Sequence, residues 1–173
     1  YTVEAKDGDD RIIVEVSQRG GLVLWMMHSR EVWESRLTQD EMIARGLDFL
    51  EQRGFSALHI TDLQVLQNRA TLTFVPERAG ILRYGEPLKV QVSVADGSIL
   101  GFWGTPFYVA QSRLEEADLV NQAAWKLEEK IRTDLEILDQ KLAIIESKGN
   151  KEVLTTRLGV KHQEDYYLIY LDV

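Results

Sequence analysis

Leu37-Thr38-Gln39-Asp40-Glu41-Met42-Ile43 opens residues 37–103, the stretch that decides the fold. Thr38 can cap a first helical turn, and Glu41 can reach back to the Thr38 amide. The pair makes a capping box and starts a helix at Thr38. Met42, Ile43, Gly46, Leu47, Phe49 and Leu50 recur at helical spacing, leaving Asp40, Arg45, Asp48, Glu51 and Gln52 for the other side. Gly54 stands where a left-handed C-cap is expected. The period then becomes alternating. Leu58-His59-Ile60, Leu63 to Leu66, Ala70 to Val75, Leu88 to Val94 and Ile99 to Trp103 read as strands, with Ala95-Asp96-Gly97-Ser98 as a hairpin turn. A helix followed by an antiparallel sheet that it covers is an α+β unit.

The same pattern extends in both directions. Upstream, residues 2–5 and 11–16 alternate and residues 22–27 form another strand, separated by turns at Asp7-Gly8-Asp9-Asp10 and Gln18-Arg19-Gly20-Gly21. Val14-Glu15-Val16-Ser17 sets above Val90-Gln91-Val92-Ser93, Gly21 then falls on Gly97, and Val23-Leu24 on Ile99-Leu100. Downstream, Leu119, Val120, Ala123, Ala124, Leu127 and Ile131 space as a second amphipathic helix. Residues 135–138, 141–145, 152–158 and 166–171 follow as strands, with Ser147-Lys148-Gly149-Asn150 as a turn. The expected organisation is tandem: residues 1–36 as the strands ending one unit, 37–105 as a complete unit, and 106–173 as a third that stops before its last hairpin.

Composition narrows the function. The 173 residues are 45% hydrophobic and 28% charged, so a core can form and disorder is not expected. A net charge of −8 argues against nucleic acid and against docking on anionic lipid. No apolar run reaches membrane-spanning length, and there is no signal peptide. The chain starts without Met inside a strand, so it reads as a piece of a longer protein with any membrane anchor upstream. With no cysteine, thiol catalysis and disulfides are excluded.

Candidate chemistry is sparse. Asp7-Gly8-Asp9-Asp10 has oxygen-ligand character, but a solvated hairpin turn explains it better than a calcium loop lacking its closing Glu. His28, His59 and His162 share no ligand spacing. Ser17, Ser93 and Ser98 lie in or beside turns, without a nucleophile elbow. Glu115-Glu116 and Glu128-Glu129 are adjacent pairs, which point apart on a helix. Gly20-Gly21 has no following helix to cradle phosphate. Aromatic residues are the one enrichment: Trp25, Trp33, Trp103, Phe107 and Tyr108. Packing between units is the simpler reading, and partner binding, above all at Trp103, Phe107 and Tyr108, is the functional one.

A capped helix opening Leu-Thr-x-x-Glu, several strands and a closing strand–Asp-Gly–strand hairpin resemble the PepSY domain family. Gly21-Leu22-Val23-Leu24-Trp25, Arg30-Glu31-Val32, Leu37-Thr38-Gln39-Asp40-Glu41, Asp96-Gly97-Ser98-Ile99-Leu100-Gly101-Phe102 and Lys151-Glu152-Val153-Leu154 are similar, in order, to its YpeB-like branch of spore germination proteins. The resemblance covers nearly the whole chain and departs at residues 126–138, which are longer and more charged here. It implies a non-enzymatic, extracytoplasmic protein without cofactor or metal, on the outer side of the inner spore membrane. Its implied role is to stabilise or restrain a cortex-lytic enzyme of the SleB type. The family equally implies a propeptide-like peptidase inhibitor. An extracytoplasmic sensor or ligand-binding module using a sheet face is a further alternative.

Overall fold

The computed structural model describes residues 1–110, 134–148 and 151–172. The elements are β1 (Thr2–Asp7), β2 (Asp10–Val16), β3 (Val23–His28), α1 (Gln39–Glu51), β4 (Leu58–Leu66), β5 (Arg69–Arg78), β6 (Ile81–Arg83), β7 (Leu88–Ser93), β8 (Ile99–Trp103), α2 (Thr105–Val109), β9 (Glu136–Ser147), β10 (Lys151–His162) and β11 (Asp165–Asp172). They divide into two compact units, Tyr1–Pro76 with Glu86–Ala110, and Glu77–Gly85 with Gln111–Val173.

In the first unit the strands pair antiparallel in the order β1-β2-β3-β8-β7-β5-β4. The helix forms as its sequence dictates. Glu41 N–H donates to Thr38 Oγ1 at 3.3 Å and Thr38 N–H donates to Glu41 Oε2 at 2.8 Å, closing the capping box. At the other end Gly54 takes φ +84°, and Phe55 N–H donates to Leu50 O at 3.2 Å. Met42, Gly46 and Leu50, one turn apart, are the buried residues of α1. Leu50 and Phe55 join Leu72 and Phe74 of β5, Leu88, Val90 and Val92 of β7, and Phe102 of β8 in one core. Alternation sends the intervening residues of these strands to the opposite face, so Gln91 and Trp103 turn away from α1.

In the second unit the end of β5 pairs with β6, and β6 pairs parallel with β9 through Ile81↔Leu142, Leu82↔Ala143 and Arg83↔Ile144. Strands β9, β10 and β11 continue antiparallel. Ile81, Ile144 and Leu154 form its core with Leu142 packed on them. The Tyr84 and Tyr170 rings meet edge-to-face at 5.7 Å, and burial beside Tyr84 pushes the Tyr170 phenol up.

The expected α+β architecture, tandem units each with a helix on an antiparallel sheet, is corrected by these elements. The described residues are mainly β: 57% of them are strand and 12% helix, in two helices, and the strand pairing is mixed. The physical reason is that alternating sequence runs longer than expected. Residues 58–60 and 63–66 are one strand bent by a bulge between Ile60 and Asp62, and residues 135–138 and 141–145 merge into the twelve residues of β9. The second amphipathic stretch, 119–131, lies outside the described residues.

Candidate functional site

A nine-residue connector, residues 29–37, crosses from β3 to α1 without regular structure, and hydrogen bonds fix it along its length. Asn68 Nδ2 donates to Val32 O at 3.1 Å, Arg69 Nη2 donates to Arg30 O, and the Arg36 and Leu37 amides both donate to Val94 O at 2.9 Å. Arg30 Nη2 stands 2.7 Å from Asp96 Oδ2 while its Nη1 donates to Ser98 Oγ at 3.0 Å. Gly97, at φ +76°, lets the Asp96 turn close. Partial burial acts to raise the Asp96 carboxyl. Hydrogen bonds from the Ser98 amide and hydroxyl, from Ser93 and from Arg30 outweigh it, so Asp96 is held well below the usual carboxylate range.

Trp33 stands on this connector with 80% of its surface exposed. It lines two grooves of the first unit. The smaller, about 350 Å³, also touches Arg30, Arg36 and Asp96. The larger, about 710 Å³, runs over the sheet face away from α1, past Met27, Asn68, Arg69, Gln91 and Trp103. Trp103 lies over Gly101: a Cβ there would come within 2.8 Å of its Cη2 and 3.2 Å of Gln91 Cβ. Only glycine admits an indole lying this low on the sheet. Arg69 Nη1 donates to Gln91 Oε1 at 3.0 Å, so the groove floor is held by polar side chains. Gln67 and Asn68 make the β4–β5 turn with φ of +49° and +60°, both in the left-handed region, as a tight hairpin of this hand requires.

The aromatic candidates divide between two places. Trp25 and Trp103 are cross-strand partners on β3 and β8. Phe107 and Tyr108 sit on α2, on the core side, with Phe55 at 5.1 Å and 6.0 Å between ring centroids. The structure therefore does not bring Trp103 together with Phe107 and Tyr108. Residues 105–109 form the short helix α2, because Pro106 fits a first turn. The sequence reading missed the groove because Arg69, Gln91 and the connector meet through register. The one available signal was Trp33, a large aromatic in the charged stretch from Arg30 to Arg36.

The other candidates are dispersed. His28 is buried at the end of β3, its Nε2 3.9 Å from both Asp7 Oδ2 and Asp10 Oδ2, beyond hydrogen-bond reach. Asp7 and Asp10 close the β1–β2 hairpin around Gly8 and Asp9. His59 lies in β4, and His162 Nδ1 faces Asp134 Oδ2 at 3.7 Å in the second unit. Ser17 bonds within its own turn, donating to Arg19 O at 2.6 Å. Ser93 and Ser98 belong to the Asp96 turn. Gly20 and Gly21 lie in the β2–β3 turn, and Glu115, Glu116, Glu128 and Glu129 lie outside the described residues. Among the described residues no helix is long and apolar enough to cross a membrane.

Comparison with known proteins bears on this arrangement. The chain is 22% identical to the sporulation protein YpeB of Bacillus subtilis over 99% of its own length, and 23% identical to that of Halalkalibacterium halodurans over 92%. It spans only 39% and 35% of the length of those relatives. Among solved structures it is similar to the Bacillus megaterium YpeB C-terminal domain, with a TM-score of 0.86 at 21% identity, covering 99% of this chain and 77% of that one. That likeness establishes the fold. Residues 1–117 match the family described as YpeB sporulation, PepSY1 and PepSY2 domains. The capping box on Thr38, the Asp96-Gly97 hairpin and the strands between them all lie within that match, and the chain belongs to the YpeB sporulation family.

Proposed function

We propose that this chain is a non-catalytic binding module of sporulation and germination, which stabilises or restrains a cortex-lytic enzyme of the SleB type outside the inner spore membrane. The observation that carries the reading is the family match over residues 1–117, sporulation YpeB with its PepSY1 and PepSY2 domains. In this reading the partner rests on α2, where Phe107 and Tyr108 are half-buried against Phe55 and Val109 is 66% exposed. Arg53, stacked 3.6 Å over the Phe49 ring, adds a cationic rim to an acidic chain. Aromatic anchors fixed from below lose little entropy on binding. A stable contact needs roughly 1,000 Å² in total, so the surface must extend beyond α2.

The test titrates the chain against a purified SleB-type enzyme on a sensor surface. It also follows the enzyme's survival under an added peptidase. Saturable binding, weakened by Val109→Asp and Phe107→Ala, is expected, together with slower loss of the enzyme. No binding, or hydrolysis of peptidoglycan by the chain itself, overturns the reading. Inhibition of a thermolysin-type peptidase without enzyme binding would favour the propeptide-like alternative.

A further inference from the structure

We propose that the larger groove of the first unit is a binding site for a neutral oligosaccharide, stacked on Trp103 and flanked by Trp33. It lies on the sheet face away from α2, and it does not rest on the enzyme-binding reading above.

Four observations point to that ligand. The first is the platform. Trp103 is held low over Gly101 and lines the groove together with Gln91, leaving the outward side of its indole to the groove. An aromatic face offered in this way suits the apolar C–H face of a sugar ring. The second is Trp33. It is 80% exposed, yet its connector is fastened through Arg30, Val32, Arg36 and Leu37. An aromatic group standing in water on a fastened backbone keeps a large apolar surface for a ligand, and the connector beneath it need not be ordered on contact.

The third is polar chemistry. Gln91 uses its Oε1 for Arg69, so its Nε2 donors remain for a ligand, and Asn68 uses Nδ2 for Val32, so its Oδ1 acceptor remains. Donors and acceptors together match hydroxyl groups, which do both. Glu31 and Arg69 are the charged residues lining the groove, and their signs cancel, which favours an uncharged ligand. The fourth is position. The groove lies over paired strands β3, β8, β7 and β5, whose main-chain groups bond to one another. A peptide therefore finds no strand edge to extend, and recognition must pass through side chains. The volume, about 710 Å³, falls in the usual range for small-ligand sites.

The test uses chitotetraose and cellotetraose as neutral probes and tetragalacturonate as an acidic one, read by tryptophan fluorescence and calorimetry. Saturable binding of a neutral probe is expected, with Trp103→Ala and Trp33→Ala each weakening it by about tenfold or more. Gln91→Ala should weaken it by several-fold. Thermal melts verify that the variants fold, and Trp33→Ala, at an exposed position, should melt like the parent. The proposal is overturned if neither neutral probe binds at millimolar concentration, if the acidic probe binds more tightly, or if Trp33→Ala and Trp103→Ala leave binding unchanged. None of these outcomes depends on a cortex-lytic enzyme.

Discussion

A Cβ placed on Gly46 would stand 2.6 Å from Leu72 Cδ1, so the helix of the first unit touches its sheet through a glycine. Leu72 is fully buried, and the Phe74 ring lies 3.3 Å from the same point. Replacing Gly46 by Ala gains up to about 1 kcal/mol of helix propensity. Forcing a methyl group into this contact costs about 1–3 kcal/mol, and neither neighbour has a free side to move to. Gly46→Ala should lower stability and Gly46→Val should lower it further, as chemical denaturation will measure. An increase for Gly46→Ala would show that the core is looser than its burial indicates.

The capping box gives a prediction with a pH sign. Thr38→Ala should cost about 1 kcal/mol through loss of the cap. Hydrogen bonds from the Thr38 amide and then its hydroxyl hold the Glu41 carboxyl below its ordinary value of 4.5. A depressed folded-state value means stability present above about pH 4.5 and lost as pH falls through the folded value. The advantage of the parent over Glu41→Gln should therefore be full at neutral pH and shrink on acidification. Melts from pH 7 downward in which the difference stays constant would refute the linkage.

Leu50, fully buried, is the position where helix truncation should be felt most. Leu50→Ala should cost about 2–5 kcal/mol. Phe49, half-buried between Phe102 and Arg53, should cost less than a full core phenylalanine such as Phe74. Denaturant midpoints for Leu50→Ala, Phe49→Ala and Phe74→Ala test that order directly.

Local signals in the chain were legible and distant ones were not. Thr38, Glu41 and Gly54 act on neighbours within one or two turns, so their spacing alone located α1. The Asp96-Gly97 turn was readable for the same reason. Strand β6 has three residues, Ile81–Arg83, and is stabilised by parallel pairing with Leu142, Ala143 and Ile144, far along the chain. Nothing within residues 81–83 encodes that partner, and the mixed pairing it creates is what the α+β expectation lacked. The groove is unreadable in the same sense. Trp33 and Trp103 are visible as aromatics, but the register Trp25↔Trp103 and the Asn68 and Arg69 anchors bring them to one face.

The connector that carries Trp33 should loosen as a unit. Asp96→Ala removes the carboxylate that holds Arg30 and the acceptor for Ser98. Hydrogen exchange should then quicken at the Arg36 and Leu37 amides, which bond to Val94 O beside the turn, while α1 keeps its protection. Because Asp96 is held well below its usual value of 3.8, the parent connector should stay fastened above that pH and loosen only on further acidification. Equal exchange in parent and variant would mean that Asn68 and Arg69 suffice to hold it.

In the second unit, Asp139 and Arg157 form an ion pair whose parts should prove interdependent. Arg157 Nη2 donates to both Asp139 oxygens at 2.8 Å, and Gly159 N–H donates to Asp139 Oδ1 at 3.2 Å, beside the bulge between Gly159 and Val160. The Arg157 side chain is 13% exposed and Asp139 is 50% exposed, so the arginine is the member that suffers if the pair is broken. Asp139→Ala should cost about 1–3 kcal/mol, because a mostly buried guanidinium loses its counter-ion. A Cβ at position 159 would press to 3.0 Å from Asp139 Cγ and displace the carboxylate from both donors. Gly159→Ala should therefore destabilise through the same carboxylate. The double variant should then lose less than the sum of the two single variants, with a coupling of about 0.5–3 kcal/mol. Strict additivity in denaturant melts would show that Gly159 and Asp139 act independently, and that the bulge, not the ion pair, is what requires a glycine.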